Sequence, residues 1–275
     1  MKKLTIKLLA LMLAMVMLLP LAMACDKDKT TEPTEAEKFA AMSDKEKAFY
    51  LLNNDVDDSG KESTTMSMDL EFTYMGIKLT ATATGKSTTI DTADKYVDYT
   101  ESVVSVAMMG QSTVMTSKEG WTDGKHFVYS AESGIGAGYY MPQTKEEYIA
   151  DKEENNDEIP ENFGLTTENC TTVTCTQNSY GNWVATFSGV SQDGLTEFKK
   201  LIEDFGDMVN LDDLTDISLT LTVNPDFKPM KAEISFVFSG EDAPVISFEC
   251  NYIIGADVVE PTIDVSGYTE TDSLE

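Results

Sequence analysis

Few residues of this chain have the types and spacing that chemistry requires, and each such group lacks a partner. Asp55, Asp57, Ser59 and Gly60 match positions 1, 3, 5 and 6 of a calcium-binding loop, but position 12, which needs a bidentate glutamate, is Met66. The same residues make an ordinary helix-to-strand turn. Asp151, Glu153, Glu154, Asp157, Glu158 and Glu161 form a carboxylate run that could hold Ca²⁺ loosely, though such runs are ordinarily solvated surface. His126 is the single histidine, which removes any two-histidine metal site and leaves one side chain as a candidate base. No Gly-x-Ser-x-Gly elbow accompanies it, and its place beside Lys125 in a strand predicts a surface residue. Gly134, Gly136 and Gly138 lack the further spaced glycine and following helix of a dinucleotide loop. They read instead as a flexible loop or lid, with Tyr139 and Tyr140 beside it. The chain is therefore expected to be a non-enzyme with no catalytic residue, metal or cofactor.

The remaining chemistry is at the start of the chain. Lys2, Lys3 and Lys7 precede an apolar run from Leu8 to Leu19, then Pro20 and Leu21-Ala22-Met23-Ala24-Cys25. A basic start, a short apolar core and small residues before a cut site describe a secretory signal peptide over residues 1–24. The run is too short for a permanent membrane span. Leu21 to Cys25 resembles the lipobox of bacterial lipoproteins, matching at Ala24 and Cys25 and departing at Ala22, where that family carries leucine. The resemblance implies that Cys25 is lipidated and holds the protein on the extracytoplasmic face of a membrane. Ala22-Met23-Ala24 also suits ordinary signal peptidase, which would release a secreted protein. Residues 25–33 then read as the lipidated cysteine and a flexible polar tether.

Composition narrows the partners. Asp plus Glu number 48 against 20 basic residues, all of them lysine. Without Lys2, Lys3 and Lys7 the mature charge is −31, 17 lysines against 48 acids. Such a surface repels nucleic acid, and without arginine there is no bidentate fork for phosphate. No nucleic acid is expected as a partner, and no particular protein partner is specified. Beyond Cys25 the cysteines are Cys170, Cys175 and Cys250, an odd set that does not describe a disulfide framework. Cys170 and Cys175 would stand about 16 Å apart in an extended strand at ~3.3 Å per residue, too far to bridge. Cys250 shares its strand face with Phe248 and Tyr252 and should be a buried thiol.

The positioning elements follow from hydrophobic period. Thr34-to-Glu37 and Ser43-to-Glu46 fit the capping box, so one broken or two short helices are expected over residues 34–54. From Met66 the period is two: Met66, Met68, Leu70, Phe72 and Tyr74 alternate with polar residues, and Leu79, Ala81 and Ala83 follow a turn. Strands are expected to continue over 95–109 and 112–117, with a hairpin turn at Asp123-Gly124. Residues 133–162 break the pattern, with a short acidic helix over 144–155. A hairpin over 170–190, an amphipathic helix carrying Leu195, Phe198, Leu201, Ile202 and Phe205, and three alternating strands over 217–252 complete the domain. The tail from Val258 is polar and expected to be loosely held.

About nine antiparallel strands with helices early and late predict an α+β domain over residues 34–257, ahead of a polar tail over 258–275. Gly120-to-Tyr129 and Leu219-to-Lys231, with the order of elements, resemble the lipoprotein-carrier half-barrel superfamily that includes LolA, LolB and LppX. The resemblance implies a curved antiparallel sheet, a half-barrel, with helices covering its concave face. A closed lipocalin-like barrel or a β-sandwich with appended helices stays open. The expected function is non-catalytic binding of an apolar ligand, a lipid or lipopeptide, in the half-barrel cavity. Methionine adapts to irregular apolar partners, and the expected lining is Met66, Met68, Leu70, Phe72, Met108 and Met109, with Tyr139 and Tyr140 at the lid. The rival is a surface-interaction lipoprotein with a filled core and an acidic partner-binding face.

Overall fold

Tight turns decide where this chain doubles back. Met109-Gly110, Asp123-Gly124 and Ser133-Gly134 all take positive φ, 51° and 78°, 49° and 78°, and 51° and 84°. Paired positive φ makes a two-residue turn whose twist matches that of the flanking strands. Each pair joins consecutive strands of one sheet in a computed structural model that describes residues 35–53, 60–74, 77–154, 165–201, 210–240 and 243–274. The strands are β1 Lys61–Tyr74, β2 Ile77–Thr92, β3 Lys95–Met108, β4 Gln111–Thr122, β5 Lys125–Glu132 and β6 Ile135–Pro142. After a gap come β7 Cys170–Gln177, β8 Trp183–Val190, β9 Leu214–Val223, β10 Pro229–Phe238, β11 Val245–Ile254 and β12 Thr269–Glu270.

Their order is β12-β6-β5-β4-β3-β2-β1-β11-β10-β9-β8-β7. Two antiparallel meanders, β1 to β6 and β7 to β11, therefore join through β1 and β11, with Met68 opposite Phe248 and Leu70 opposite Ile246. Only β12 is parallel to its neighbour. The result is a large curved, unclosed sheet of twelve strands where about nine were expected. The strands read as loop or tail are the glycine-rich β6 and the two-residue β12, neither of which alternates clearly.

Four helices are described: α1 Glu35–Ala41, α2 Asp44–Asn53, α3 Lys145–Glu154 and α4 Gln192–Leu201. The expected capping box at Ser43 is formed. The Ser43 N–H and Oγ donate to Glu46 at 2.8 and 2.7 Å, and these bonds hold the Glu46 carboxyl below its usual range. α3 has a second box, in which the Thr144 N–H donates to Glu147 at 2.9 Å and the Glu147 N–H donates back to Thr144 Oγ1 at 3.2 Å. Phe39 of α1 meets Trp183 and Phe227 edge-on at 5.0 and 4.9 Å, and Phe49 of α2 meets Phe187 at 5.1 Å. α2 thus packs on β7, β8 and β9, and α4 on β9 through the fully buried Leu195. Phe198 and Leu201 have side chains outside the described set, and Ile202 and Phe205 lie outside the described residues, as do Thr34 and residues 1–33.

The tail departs from expectation. Val258 and Ile263 pack on Ile90 and Val97, and the Tyr268 ring lies against Phe127 and Tyr129 before β12 pairs with β6. A polar composition hid three apolar anchors spaced to cross β2 through β6. This strap covers the sheet face opposite Met68. Among the described residues no helix is long and apolar enough to cross a membrane.

Candidate functional site

Register places the expected ligand-binding residues. Met66, Met68 and Leu70 project from one face of β1, opposite Gly85, Ala83 and Ala81 of β2, which in turn oppose Ser102, Val104 and Val106 of β3. Met66, Met68 and Leu70 are buried, Met68 at 1% exposure, and Met108 is half-buried against the same cluster. Those four are brought together. Phe72 pairs with Leu79 through its backbone, and its side chain lies outside the described set. Met109 does not join them. It occupies the β3–β4 turn, where the turn geometry swings it out to 75% exposure. Tyr139 and Tyr140 are not on a lid: Ser133-Gly134 is a hairpin turn, and residues 135–142 form β6, so the two rings project from opposite faces. Tyr140 donates its hydroxyl to Glu270 at 2.6 Å.

Toward the starts of β1 and β3 the same face turns polar. Thr64 opposes Ser87 and Tyr252, and Ser87 opposes Thr100, whose hydroxyls meet at 3.3 Å. Thr64 Oγ1 donates to Glu62 at 3.1 Å, while burial raises the Glu62 carboxyl above its usual range. Ser102, 1% exposed, lies between this band and Val104, and its hydroxyl has no partner among the described residues. The face therefore runs from methionine, leucine and valine at one end to hydroxyls and a carboxyl at the other.

Beyond the band, α3 packs over a charged cluster that sequence reasoning missed. Asp98, buried at 2% exposure, accepts from the Tyr148 hydroxyl at 3.0 Å, from Thr89 Oγ1 at 3.4 Å and from Lys152 Nζ. Trp121 Nε1 donates to the Gln143 carbonyl at 2.9 Å, and Gln143 Nε2 donates to Asp151. Burial, followed by the charge of Asp98, pushes the Tyr148 phenol well above its ordinary range. His126 is half-buried here rather than on the surface, with the Tyr148 ring at 5.0 Å and Glu119 Oε1 3.5 Å from Nε2. The available signal was parity, because Asp98 shares its strand face with Val104 and Val106. The arrangement docks a helix.

The other sequence candidates separate. Asp55, Asp57 and Ser59 lie outside the described residues, as do Asp157, Glu158 and Glu161. Among the described residues no group of three or more acidic, histidine or cysteine side chains could hold a metal ion. Cys170, Cys175 and Cys250 are free and buried in the main core. Burial pushes the Cys175 thiol up to about 11 and the Cys250 thiol up to about 12. Thiols held protonated in this way are weak nucleophiles at neutral pH.

No family model matches the chain, and no curated protein matches it. Among solved structures one match is a DUF1329 family protein from Desulfovibrio piger, at 8% identity, covering 79% of this chain and 96% of that one, with a TM-score of 0.24. Overlap at that level assigns neither fold nor function.

Proposed function

We propose that this chain is a membrane-anchored extracytoplasmic lipoprotein, lipidated at Cys25, whose sheet is a half-barrel that binds an apolar ligand, a lipid or lipopeptide, without catalysis. In this reading helices cover the concave face, as the likeness to the LolA, LolB and LppX superfamily implies. One observation carries it: a single face graded from Met66, Met68, Leu70 and Met108 to the hydroxyl band that ends at Glu62. That gradient suits an amphiphile lying along the strands. Width supports it as well. Twelve strands at about 4.8 Å span on the order of 50 Å, whereas α1, α2 and α4 are 7, 10 and 10 residues long and α2 and α4 pack on β7 to β9. Because Met68 is covered without ligand, binding must displace what covers it.

The test is native mass spectrometry and fluorescent fatty-acid titration of the mature protein stripped of co-purifying lipid. Binding is expected, and Met108→Glu should weaken it about tenfold or more while the half-buried site keeps the fold intact. A protein that purifies without lipid and ignores the probe would overturn the reading. The anchor has its own test: Cys25→Ala should abolish acyl mass and membrane fractionation together.

A second reading, a surface-interaction lipoprotein with a filled core and an acidic partner-binding face, is favoured by the depth of burial. Met68, Leu70, Val104 and Val106 are all at or below 5% exposure.

A further inference from the structure

The first meander ends on an unusual edge. β6 pairs with β5 along its whole length, but on its other side β12 meets only Tyr139 and Tyr140. Strand alternation fixes which backbone groups are left. The Thr271 N–H donates to the Tyr140 carbonyl at 2.9 Å, and the Gln143 N–H donates to Gly124 on the β5 side at 3.0 Å. Even-numbered residues of β6 therefore turn their N–H and C=O outward. The parallel pairing of Thr269 with Tyr139 engages the Gly138 C=O and the Tyr140 N–H, which leaves both groups of Gly136 and the N–H of Gly138 without a strand partner among the described residues.

Natural edges are blunted by charge, proline or a bulge. Ile135, Gly136, Ala137 and Gly138 carry none of these. Neither glycine has a side chain to shield its backbone; the Tyr268 ring lies over Gly138 from the strap face, and Gly136 is exposed. On the Met68 face Ile135 is 85% exposed and Tyr139 45%, with the exposed Ala137 between them. Alternate side chains of an added strand would rest on that row.

We propose that the β6 edge over residues 135–138 accepts an extended, lysine- or arginine-rich peptide segment of a partner protein as an additional strand. The unpaired ladder groups specify an extended backbone. Charge specifies the rest: Glu132 ends β5 directly across from Ile135, Glu270 and Asp272 follow on the tail, and the mature chain carries 48 acids against 17 lysines. A second copy of so acidic a chain is repelled by the first, whereas a basic segment is drawn in. The inference does not depend on a cavity.

The experiment uses the full mature chain and a short peptide of alternating lysine and valine, with a twin N-methylated on the backbone nitrogens of one edge. The twin keeps the charge and loses the ladder donors. The unmodified peptide is expected to bind, to slow amide exchange at Gly136 and Gly138 about tenfold or more, and to bind about tenfold tighter than its twin. Ile135→Ser, at an exposed position that leaves the core untouched, should weaken the unmodified peptide severalfold. Equal affinity for both peptides with unchanged exchange at Gly136 and Gly138 would mean that charge alone attracts them, and would overturn the proposal. Protection that grows with protein concentration alone, or that appears only with phosphatidylcholine vesicles, would overturn it too, in favour of a second copy or a membrane.

Discussion

Lys152→Met is expected to destabilise the protein by about 3 kcal/mol, and Asp98→Asn by roughly a third of that. The asymmetry follows from where each charge sits. The Asp98 side chain is 3% exposed and that of Lys152 33%. Removing the lysine strands a carboxylate in the interior with, among the described residues, only the Tyr148 and Thr89 hydroxyls to satisfy it. Removing the acid frees a lysine that already reaches water and can turn outward. An asparagine keeps an oxygen for Tyr148, so most of the neutral hydrogen bonding survives. Denaturant midpoints of the two variants check the order, and Trp121 reports where the damage falls, since its Nε1 bond to Gln143 depends on the loop that starts α3. Equal costs would show that the pair behaves as a surface salt bridge, worth at most about 1 kcal/mol.

That clamp also marks the boundary of what one sequence reveals. Alternation over Met66 to Leu70, Ile217 to Val223, Ala232 to Phe238 and Ile246 to Cys250 announces strands and their buried faces, because side-chain period two is a local property. The capping box at Ser43 is equally local. Sheet order is different: β1 beside β11 joins residues almost 200 positions apart, about as far as Glu62 from Ile254, and no local signal carries it. β6 escaped because Ile135-Gly136-Ala137-Gly138 has little strand propensity, and its pairing with β5 supplies what the residues do not. Of the expected site, Met66, Met68, Leu70 and Met108 share a face because parity was readable. Met109 failed because it directly follows Met108, so parity already places it off that face, and the turn then leaves it exposed. Asp98 was overlooked because its partner stands 54 residues later on a helix.

The strap is where composition misled most, and one glycine tests it by a change of sign. Gly138 sits on β6 opposite Tyr129. A Cβ at this position would stand 2.5 Å from Cδ1 of Tyr268, and its three nearest atoms all belong to that ring. Tyr268 in turn stacks on Tyr129 at 6.0 Å and meets Phe127 edge-on at 6.2 Å. Gly138→Ala is therefore expected to cost about 2 kcal/mol by forcing the ring off its seat, and Tyr268→Ala about 2–3 kcal/mol by losing the ring contacts. In the chain that already lacks the ring the clash is gone, and alanine should then outperform glycine in a strand by about 0.5 kcal/mol. The same substitution thus destabilises in one background and stabilises in the other, a coupling of about 2.5 kcal/mol that denaturant unfolding of the four proteins resolves. Limited proteolysis should agree, cutting the 258–268 segment faster in Gly138→Ala than in the parent. Additive costs would mean that Tyr268 does not rest on Gly138, and the strap would then be held by Val258, Ile263 and the pairing of β12 with β6.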